Sequence, residues 1–144
     1  MKYIFLDFDG VLHGEEFNVP LFVHMDRFCN TIRPFLPEVN IVISSSWREI
    51  HSLEHLRNHF NDDIQPFVVG ETPVHVDGFG YAGRYREILA YCKTHHIENH
   101  QWIALDDMHD LFPEPCANLI AVQGFAGLSP RNLENLSLFL QNNG

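Results

Sequence analysis

The sequence predicts an α/β fold, in which a three-layer α/β/α arrangement is built on a Rossmann-like parallel sheet, and it predicts one domain over residues 1–144. Short apolar runs alternate along the chain with segments whose apolar residues recur at helical spacing, as in a parallel sheet covered on both faces. Three of the apolar runs end in clustered carboxylates or hydroxyls. Because ligands bind beyond the carboxyl ends of such strands, these polar ends also indicate where a functional site would lie.

Five short apolar runs predict buried strands. The first is KYIFLDFD over residues 2–9, and the fourth is QWIALDD over residues 101–107; both end in carboxylates. The second run, NIVISSS over residues 40–46, ends in serines. PFVVG over residues 66–70 and NLIAVQ over residues 118–123 complete the predicted sheet.

Four segments carry apolar residues at helical spacing, and we expect helices over residues 20–36, 47–60 and 84–95 and after Ser129. Pro34 must lie near the end of the first helix or distort it, because proline lacks the backbone donor that a helix interior needs. Ser129 is followed by a proline, and this pair is favourable at the N-cap and first position of the last helix.

Composition and charge limit the function classes. The net charge of −10 opposes non-specific binding to nucleic acid, although it leaves room for a local basic groove. Three cysteines without a CxxC pair predict reduced thiols in a cytoplasmic protein. No run approaches the roughly 18–20 apolar residues that a membrane span requires, and the first residues have no signal-peptide pattern, so we expect no membrane association.

Two pairs of carboxylates follow predicted strands. Asp7 and Asp9 end the first strand with one residue between them, so both can point the same way if the chain remains extended. Asp106 and Asp107 end the fourth strand. Acidic groups gathered at one sheet edge repel one another unless a cation lies between them, and hard divalent cations take oxygen ligands. We therefore expect a Mg²⁺ site formed by Asp7, Asp9, Asp106 and Asp107.

Hydroxyl and basic side chains are expected at the same edge. Ser44 and Ser45 close the second strand just before a predicted helix, where hydroxyl and free N–H groups suit a phosphate. Arg84, at the start of the third predicted helix, would add a fixed positive charge. An attacking carboxylate, a metal ion, hydrogen-bond donors and a cation together predict phosphoryl transfer.

In motif order, DFDGV, the serine of IVISSS, a basic residue and the paired acids of IALDD resemble the haloacid dehalogenase (HAD) superfamily. More narrowly, LDFDGVLH, SSSWR, the helix opening at residues 84–88, LDD and the late GLS segment resemble the HAD domains associated with RNA-repair proteins. This resemblance spans nearly the whole chain.

The resemblance implies a mechanism. Asp7 would be the nucleophile that forms an aspartyl-phosphate, and Asp9 would be the general acid and then the base, with its backbone carbonyl on the metal. Ser44 would hold the transferring phosphoryl group. Arg84 would occupy the basic motif position, for which Arg86 is the competing candidate.

The fourth motif departs from the common Gly-Asp of the superfamily. Asp106 or Asp107 would complete the Mg²⁺ site, and Asp110 is a further candidate ligand. Only about 35 residues separate the first motif from the serines, so we expect no large cap domain. The resemblance then implies an open site for a macromolecular substrate or for capping by a partner subunit, and residues 71–83 form a predicted loop that could cover part of it.

Three further residues, Gly10, Ser45 and Arg48, are predicted to bind the substrate. Ser45 can instead cap the helix that follows it, and Arg48 can instead be a structural ion-pair partner. Trp47 is expected to be a packing anchor. His13 is expected to be structural or solvent-facing, with approach to a leaving group as the less favoured alternative.

The predicted function is a Mg²⁺-dependent phosphomonoester phosphatase acting on a phosphorylated small molecule or a nucleic-acid end. The alternative is a non-catalytic phosphate-binding or regulatory module with the same fold, against which the intact Asp7 and Asp9 argue. A receiver-type signalling domain is disfavoured, because its phosphorylated aspartate ends a middle strand and PFVVG offers none.

Overall fold

The computed structural model describes residues 1–16, 18–74 and 83–142. The strands are β1 (Lys2–Leu6), β2 (Val39–Ile43), β3 (Val68–Glu71), β4 (Trp102–Asp106) and β5 (Leu119–Ala121). The α-helices are α1 (Met25–Ile32), α2 (Leu53–Arg57), α3 (Gly83–His95) and α4 (Pro130–Gln141). The strands form one parallel sheet in the order β3-β2-β1-β4-β5, which confirms the predicted α/β architecture.

Alternation along the central strand β1 separates two cores. Ile4 and Leu6 point to one face, where they join a cluster that includes residues of α1, α2 and α4. Phe5 points to the other face and packs with Ile88 of α3 and with Trp102. Since β1 is buried on both faces, its sequence is a continuous apolar run, as expected for a strand inside three layers.

The strand order creates a crevice at the carboxyl ends of β1 and β4. The chain runs outward from β1 through β2 to β3 and then returns to the opposite side of β1 for β4. Loops after β1 and β4 consequently diverge, and this is the position at which open α/β sheets bind ligands. Asp7 follows β1, and Asp106 is the last residue of β4.

The predicted helix over residues 47–60 is wrong as a continuous element. Ser46–Glu49 form one 3₁₀ turn, and α2 begins only at Leu53 because the Ser52 hydroxyl caps it, accepting from the backbone N–H of His55 at 3.1 Å. Ile50, an apolar residue inside the predicted range 47–60, is 82% exposed. A serine inside an apolar stripe therefore marks a helix start here.

The first helix is shorter than the predicted 20–36. Phe22 has a φ of 59°, which a right-handed helix cannot contain, and α1 begins at Met25. Pro34 lies in the 3₁₀ turn Arg33–Phe35 that follows α1. The other helices match: α3 begins one residue before Arg84, and α4 begins directly after Ser129.

The described residues contain no cap domain between the strands. Of the loop predicted over 71–83 to cover part of the opening, residues 75–82 lie outside the described residues. In the part of the chain that the structure describes, none of the helices has the length and apolar character needed to cross a membrane.

The cap of α4 can be tested through stability. Ser129 Oγ accepts from the Asn132 N–H at 3.1 Å, and Asn132 Oδ1 accepts from the Ser129 N–H at 2.9 Å. We expect Ser129→Ala to lower the free energy of unfolding by about 1 kcal/mol, because it leaves a helix N–H without its partner. Urea unfolding followed by circular dichroism measures this, with Ser137→Ala on the same helix as the control. Equal losses in the two variants would contradict the assignment.

Candidate active site

Three carboxylates meet at the carboxyl ends of β1 and β4. Asp7, Asp106 and Asp107 each offer an oxygen, and these oxygens all lie within 4.8 Å of one another. Asp7 and Asp106 are buried, and Asp107 is half-buried. The parallel pairing of β1 with β4, in which Leu6 lies opposite Leu105, brings the residues after the two strands together.

Arg84 is the basic residue that contacts this cluster. It lies in the first turn of α3, and its Nη1 is 2.8 Å from Asp106 Oδ2 and 3.3 Å from Asp7 Oδ2. Arg86, the competing candidate, has buried Nε and Nη2 atoms for which the described part of the chain offers no hydrogen-bond partner. With three carboxylates and one guanidinium, the fully ionised cluster would carry a net charge of −2.

Burial and the excess of negative charge perturb the carboxyl groups. Burial, followed by the charge of Asp106, raises the pKa of Asp7 well above its ordinary value, and Arg84 offsets this only in part. Burial also raises the pKa of Asp106 despite the opposing effect of Arg84. Burial by itself would lower the pKa of Arg84, but the charges of Asp106 and Asp7 outweigh it and raise that pKa. The guanidinium is therefore charged.

This donor set suits a divalent cation. Two unit charges about 5 Å apart repel by about 3 kcal/mol at an effective dielectric constant near 20, so three ionised carboxylates need more compensation than one arginine provides. The ligand atoms are carboxylate oxygens, which hard cations prefer. The cluster of Asp7, Asp106 and Asp107 can accordingly hold a metal ion, whereas Asp110 is exposed in a 3₁₀ turn after β4.

Two glycines make room for the Asp107 side chain. Gly10 has a φ of 76°, and a Cβ at this position would overlap the carboxylate of Asp107. A Cβ on Gly124, in the segment after β5, would lie 2.6 Å from Asp107 Oδ2. Gly10 was predicted to bind substrate. The structure instead shows Gly10 beside the carboxylate of Asp107. The sequence reasoning missed Gly124, because no spacing pattern links it to the acids.

The carboxylate of Asp9 is hydrogen-bonded to two side chains outside the acidic cluster. His13 Nε2 lies 2.8 Å from Asp9 Oδ1, and Trp47 Nε1 donates to Asp9 Oδ2 at 3.0 Å. Among the described residues, the carboxylate cluster comprises Asp7, Asp106 and Asp107 and does not include Asp9. A contact of Asp9 with a metal through its backbone carbonyl stays a prediction.

The two predicted phosphate-binding serines differ in their surroundings. Ser44 is fully buried after β2, and its hydroxyl has no hydrogen-bond partner among the residues that the structure describes. An unpaired buried hydroxyl costs about 1–3 kcal/mol, so it marks a group that a ligand could satisfy. Ser45 Oγ instead accepts from the Trp47 backbone N–H at 3.3 Å and caps the following turn, which was the alternative reading of this residue.

Arg48 is buried and tied to the backbone. Its guanidinium donates to the carbonyl oxygens of Ser45 at 2.8 Å and Thr72 at 3.0 Å and to the Glu87 carboxylate at 2.9 Å. The side chain is 3% exposed. These contacts favour the structural alternative for Arg48, since they join the ends of β2 and β3 to α3, the helix that carries Arg84.

A pocket of about 200 Å³ opens beside the acidic cluster. Its lining comprises Asp7, Asp9, Glu15, Ser46, Arg84, Asp107 and Met108. The sequence reasoning did not identify Glu15, Ser46 or Met108, because each lies outside the strands and α-helices, in a connection whose path the sequence pattern does not define. Four of the predicted site residues thus face one cavity at the expected sheet edge.

The structural role of Arg48 predicts a stability effect. Lysine cannot satisfy the same carbonyl and carboxylate acceptors, so we expect Arg48→Lys to lower the free energy of unfolding by about 2–4 kcal/mol. Chemical unfolding measures this, and Arg131→Lys on the exposed face of α4 is the control, with an expected change within about 0.5 kcal/mol. A stable Arg48→Lys protein with weakened substrate binding would instead support direct substrate contact.

The comparisons with known proteins agree with this geometry. Residues 3–133 match the model of a family described as the HAD domain in Swiss Army Knife RNA repair proteins. No curated protein gives a significant match. The matched region contains every residue of the acidic cluster and Arg84, and HAD membership indicates a phosphatase-type hydrolase. The chain belongs to the family of HAD domains found in Swiss Army Knife RNA repair proteins.

Proposed function

We propose that the chain is a Mg²⁺-dependent phosphomonoester phosphatase that acts through an aspartyl-phosphate on Asp7. The observation that carries this proposal is the cluster of Asp7, Asp106 and Asp107 with Arg84 beside a pocket at the carboxyl ends of β1 and β4. Carboxylates this close serve poorly as stabilising elements, because they repel one another, and they suit a site that binds a cation and an anionic phosphate.

Asp7, Asp106 and Asp107 would hold the Mg²⁺. Bound there, the ion would neutralise charge on the phosphoryl oxygens and help to align the phosphorus with its nucleophile. The residues fit this role because their oxygens converge and because Asp107 lies on the pocket wall. Burial, followed by the charge of Asp106, raises the pKa of Asp7, so its carboxylate form lacks enough compensating charge in the cluster.

Asp7 is proposed to attack the phosphorus. Its Oδ1 accepts from the Phe8 N–H at 2.9 Å, and its Oδ2 lies 3.3 Å from Arg84 Nη1, so the carboxylate is held from both sides. Attack forms the bond from the Asp7 oxygen to phosphorus and breaks the bond from phosphorus to the ester oxygen. Asp9 donates a proton to the departing oxygen and then removes one from the water that hydrolyses the aspartyl-phosphate.

Ser44 and Arg84 are proposed to stabilise the transferring group. The Ser44 hydroxyl, after β2 and so next to β1, is unpaired within residues 1–16, 18–74 and 83–142 and could donate to a phosphoryl oxygen. The Arg84 guanidinium is charged and lies at the pocket, where it would offset negative charge in the transition state.

The proposed substrate is a phosphorylated nucleic-acid end. The family description supports this class, because it places such HAD domains in RNA repair proteins. A net charge of −10 disfavours a long electrostatic interface with the nucleic-acid backbone, so we expect recognition to concentrate on the terminal phosphate. A phosphorylated small molecule is the competing substrate.

Turnover tests the proposed chemistry. We expect purified protein to release phosphate in the presence of Mg²⁺ from at least one member of a panel of p-nitrophenyl phosphate, sugar phosphates, nucleotides and oligonucleotides with 5′ or 3′ phosphates. Asp7→Asn should lower kcat by at least about 10³-fold, because it removes the nucleophile.

Asp62→Asn, an exposed acid far along the chain from the cluster, is the matched control and should retain wild-type turnover. Equal turnover by wild type and Asp7→Asn would refute the nucleophile assignment. Phosphate binding without turnover on any substrate would favour the non-catalytic module.

Stability tests the metal site independently of turnover. In EDTA we expect Asp107→Asn to unfold at a higher temperature than wild type, because the substitution removes one of three mutually repelling charges. Mg²⁺ at about 100 times its Kd should stabilise wild type by about 2.7 kcal/mol and the variant by much less. Calorimetry with and without Mg²⁺ measures both effects. Identical Mg²⁺ responses in the two proteins would exclude Asp107 as a ligand.

A further inference from the structure

The surroundings of Asp9 indicate a role for two residues that the proposed mechanism does not yet use. We propose that His13 and Trp47 are positioning residues that hold the carboxylate of Asp9 in the orientation needed for proton transfer to and from the reacting oxygen. This proposal rests on the proposed function, because it assigns Asp9 the general acid and base role, and it adds the means by which a half-exposed side chain keeps one orientation.

Both oxygens of Asp9 are held by nitrogen donors. His13 Nε2 lies 2.8 Å from Oδ1, and Trp47 Nε1 donates to Oδ2 at 3.0 Å. The side chain of Asp9 is 49% exposed, whereas that of His13 is 6% exposed. One oxygen of the carboxylate therefore contacts the buried His13. Asp9 also lines the pocket beside Asp7.

The hydrogen bonds of His13 determine which of its nitrogens carries the proton. The backbone N–H of Phe22 donates to His13 Nδ1 at 3.1 Å, so Nδ1 is the acceptor of the ring. We accordingly assign the proton to Nε2, which makes the neutral imidazole a donor to Asp9. The backbone N–H of Phe22, in the segment before α1, thus selects the His13 tautomer that can donate to Asp9.

Trp47 is held by its backbone and its ring. Its backbone N–H donates to Ser45 Oγ at 3.3 Å in the turn after β2. Its ring makes edge contacts with Phe8 and Phe22, at centroid distances of 5.6 and 5.4 Å. The half-buried ring directs its indole N–H at Asp9, and Asp9 supplies the acceptor that this N–H needs away from water.

Two neutral donors suit a group that must both give up and accept a proton. Each carboxylate oxygen has a second lone-pair direction, so a bond from His13 or Trp47 leaves room for a proton on the other side. Neither donor cancels the charge of Asp9 as an arginine would. Without them the carboxylate could rotate among rotamers, and misplacement of a reacting group by about 1 Å can cost about 100-fold in rate.

Leaving-group dependence separates this role from a packing role. A displaced general acid slows expulsion of a poor leaving group more than expulsion of a good one, because only the poor one needs the proton in the transition state. We would measure kcat/KM for p-nitrophenyl phosphate and for the best alkyl phosphomonoester of the substrate panel. Trp47→Phe keeps an aromatic ring but removes the N–H donor.

For Trp47→Phe we expect kcat/KM to fall about 10-fold or more with the alkyl ester and less than about 3-fold with p-nitrophenyl phosphate. His13→Leu should show the same pattern, and His13→Gln, which retains an amide donor, should recover most of the loss. Phe22→Leu is the packing control, since it changes a ring that contacts both His13 and Trp47 but keeps the backbone donor.

The outcomes separate this proposal from the proposed function. Equal losses on the two substrates in Trp47→Phe, or the same selective loss in Phe22→Leu, would overturn the positioning role while leaving the phosphatase assignment intact. A wild-type protein without Asp7-dependent turnover would overturn the phosphatase assignment and the proton-transfer role together.

The indole hydrogen bond can be observed without turnover. The chain has two tryptophans, so Trp47→Phe assigns the indole N–H resonance of Trp47 in a ¹⁵N-labelled sample. We expect this resonance to shift in Asp9→Ala, because the acceptor is lost. An unchanged resonance would overturn the contact on which the proposal depends.

Discussion

The repulsion among Asp7, Asp106 and Asp107 is the constraint on which the site depends. Their oxygens lie within 4.8 Å of one another at the ends of two hydrogen-bonded strands, so the sheet itself enforces their proximity. Burial strengthens the effect, because it removes the water that would screen the charges. Arg84 offsets part of the charge and leaves an excess that a cation and an anionic substrate together can balance.

The surrounding contacts keep this costly arrangement in place. Arg48 binds carbonyls after β2 and β3 and the Glu87 carboxylate of α3, and thereby holds the helix that carries Arg84. Gly10 and Gly124 admit the Asp107 side chain from opposite loops. The site consists of a few charged groups, but its geometry depends on a buried arginine and on the absence of two β-carbons.

Local sequence patterns predicted which strands and helices form better than they predicted the residues at which these elements begin and end. The five apolar runs all became strands, and Ser129 with Pro130 correctly placed the start of α4. The segment over 47–60 failed because Ser52 caps a new helix in the middle of an apolar stripe, and periodicity does not reveal such a break. The role of Arg48 was left open because ion pairing depends on Glu87, a partner that is distant in the chain. The role of Ser45 was left open because a serine before a predicted helix suits both a phosphate and a cap.

The sequence by itself determined the order in which strands and helices follow one another along the chain, the position of the acids at strand ends and the family. These properties follow from periodicity and from motifs read along the chain. Only the tertiary structure decided that Asp106 and Asp107 both join Asp7, that Arg84 contacts the cluster, and that Asp9 turns to His13 and Trp47. The physical reason is that each of these contacts joins separate elements, so its geometry depends on strand pairing and loop paths.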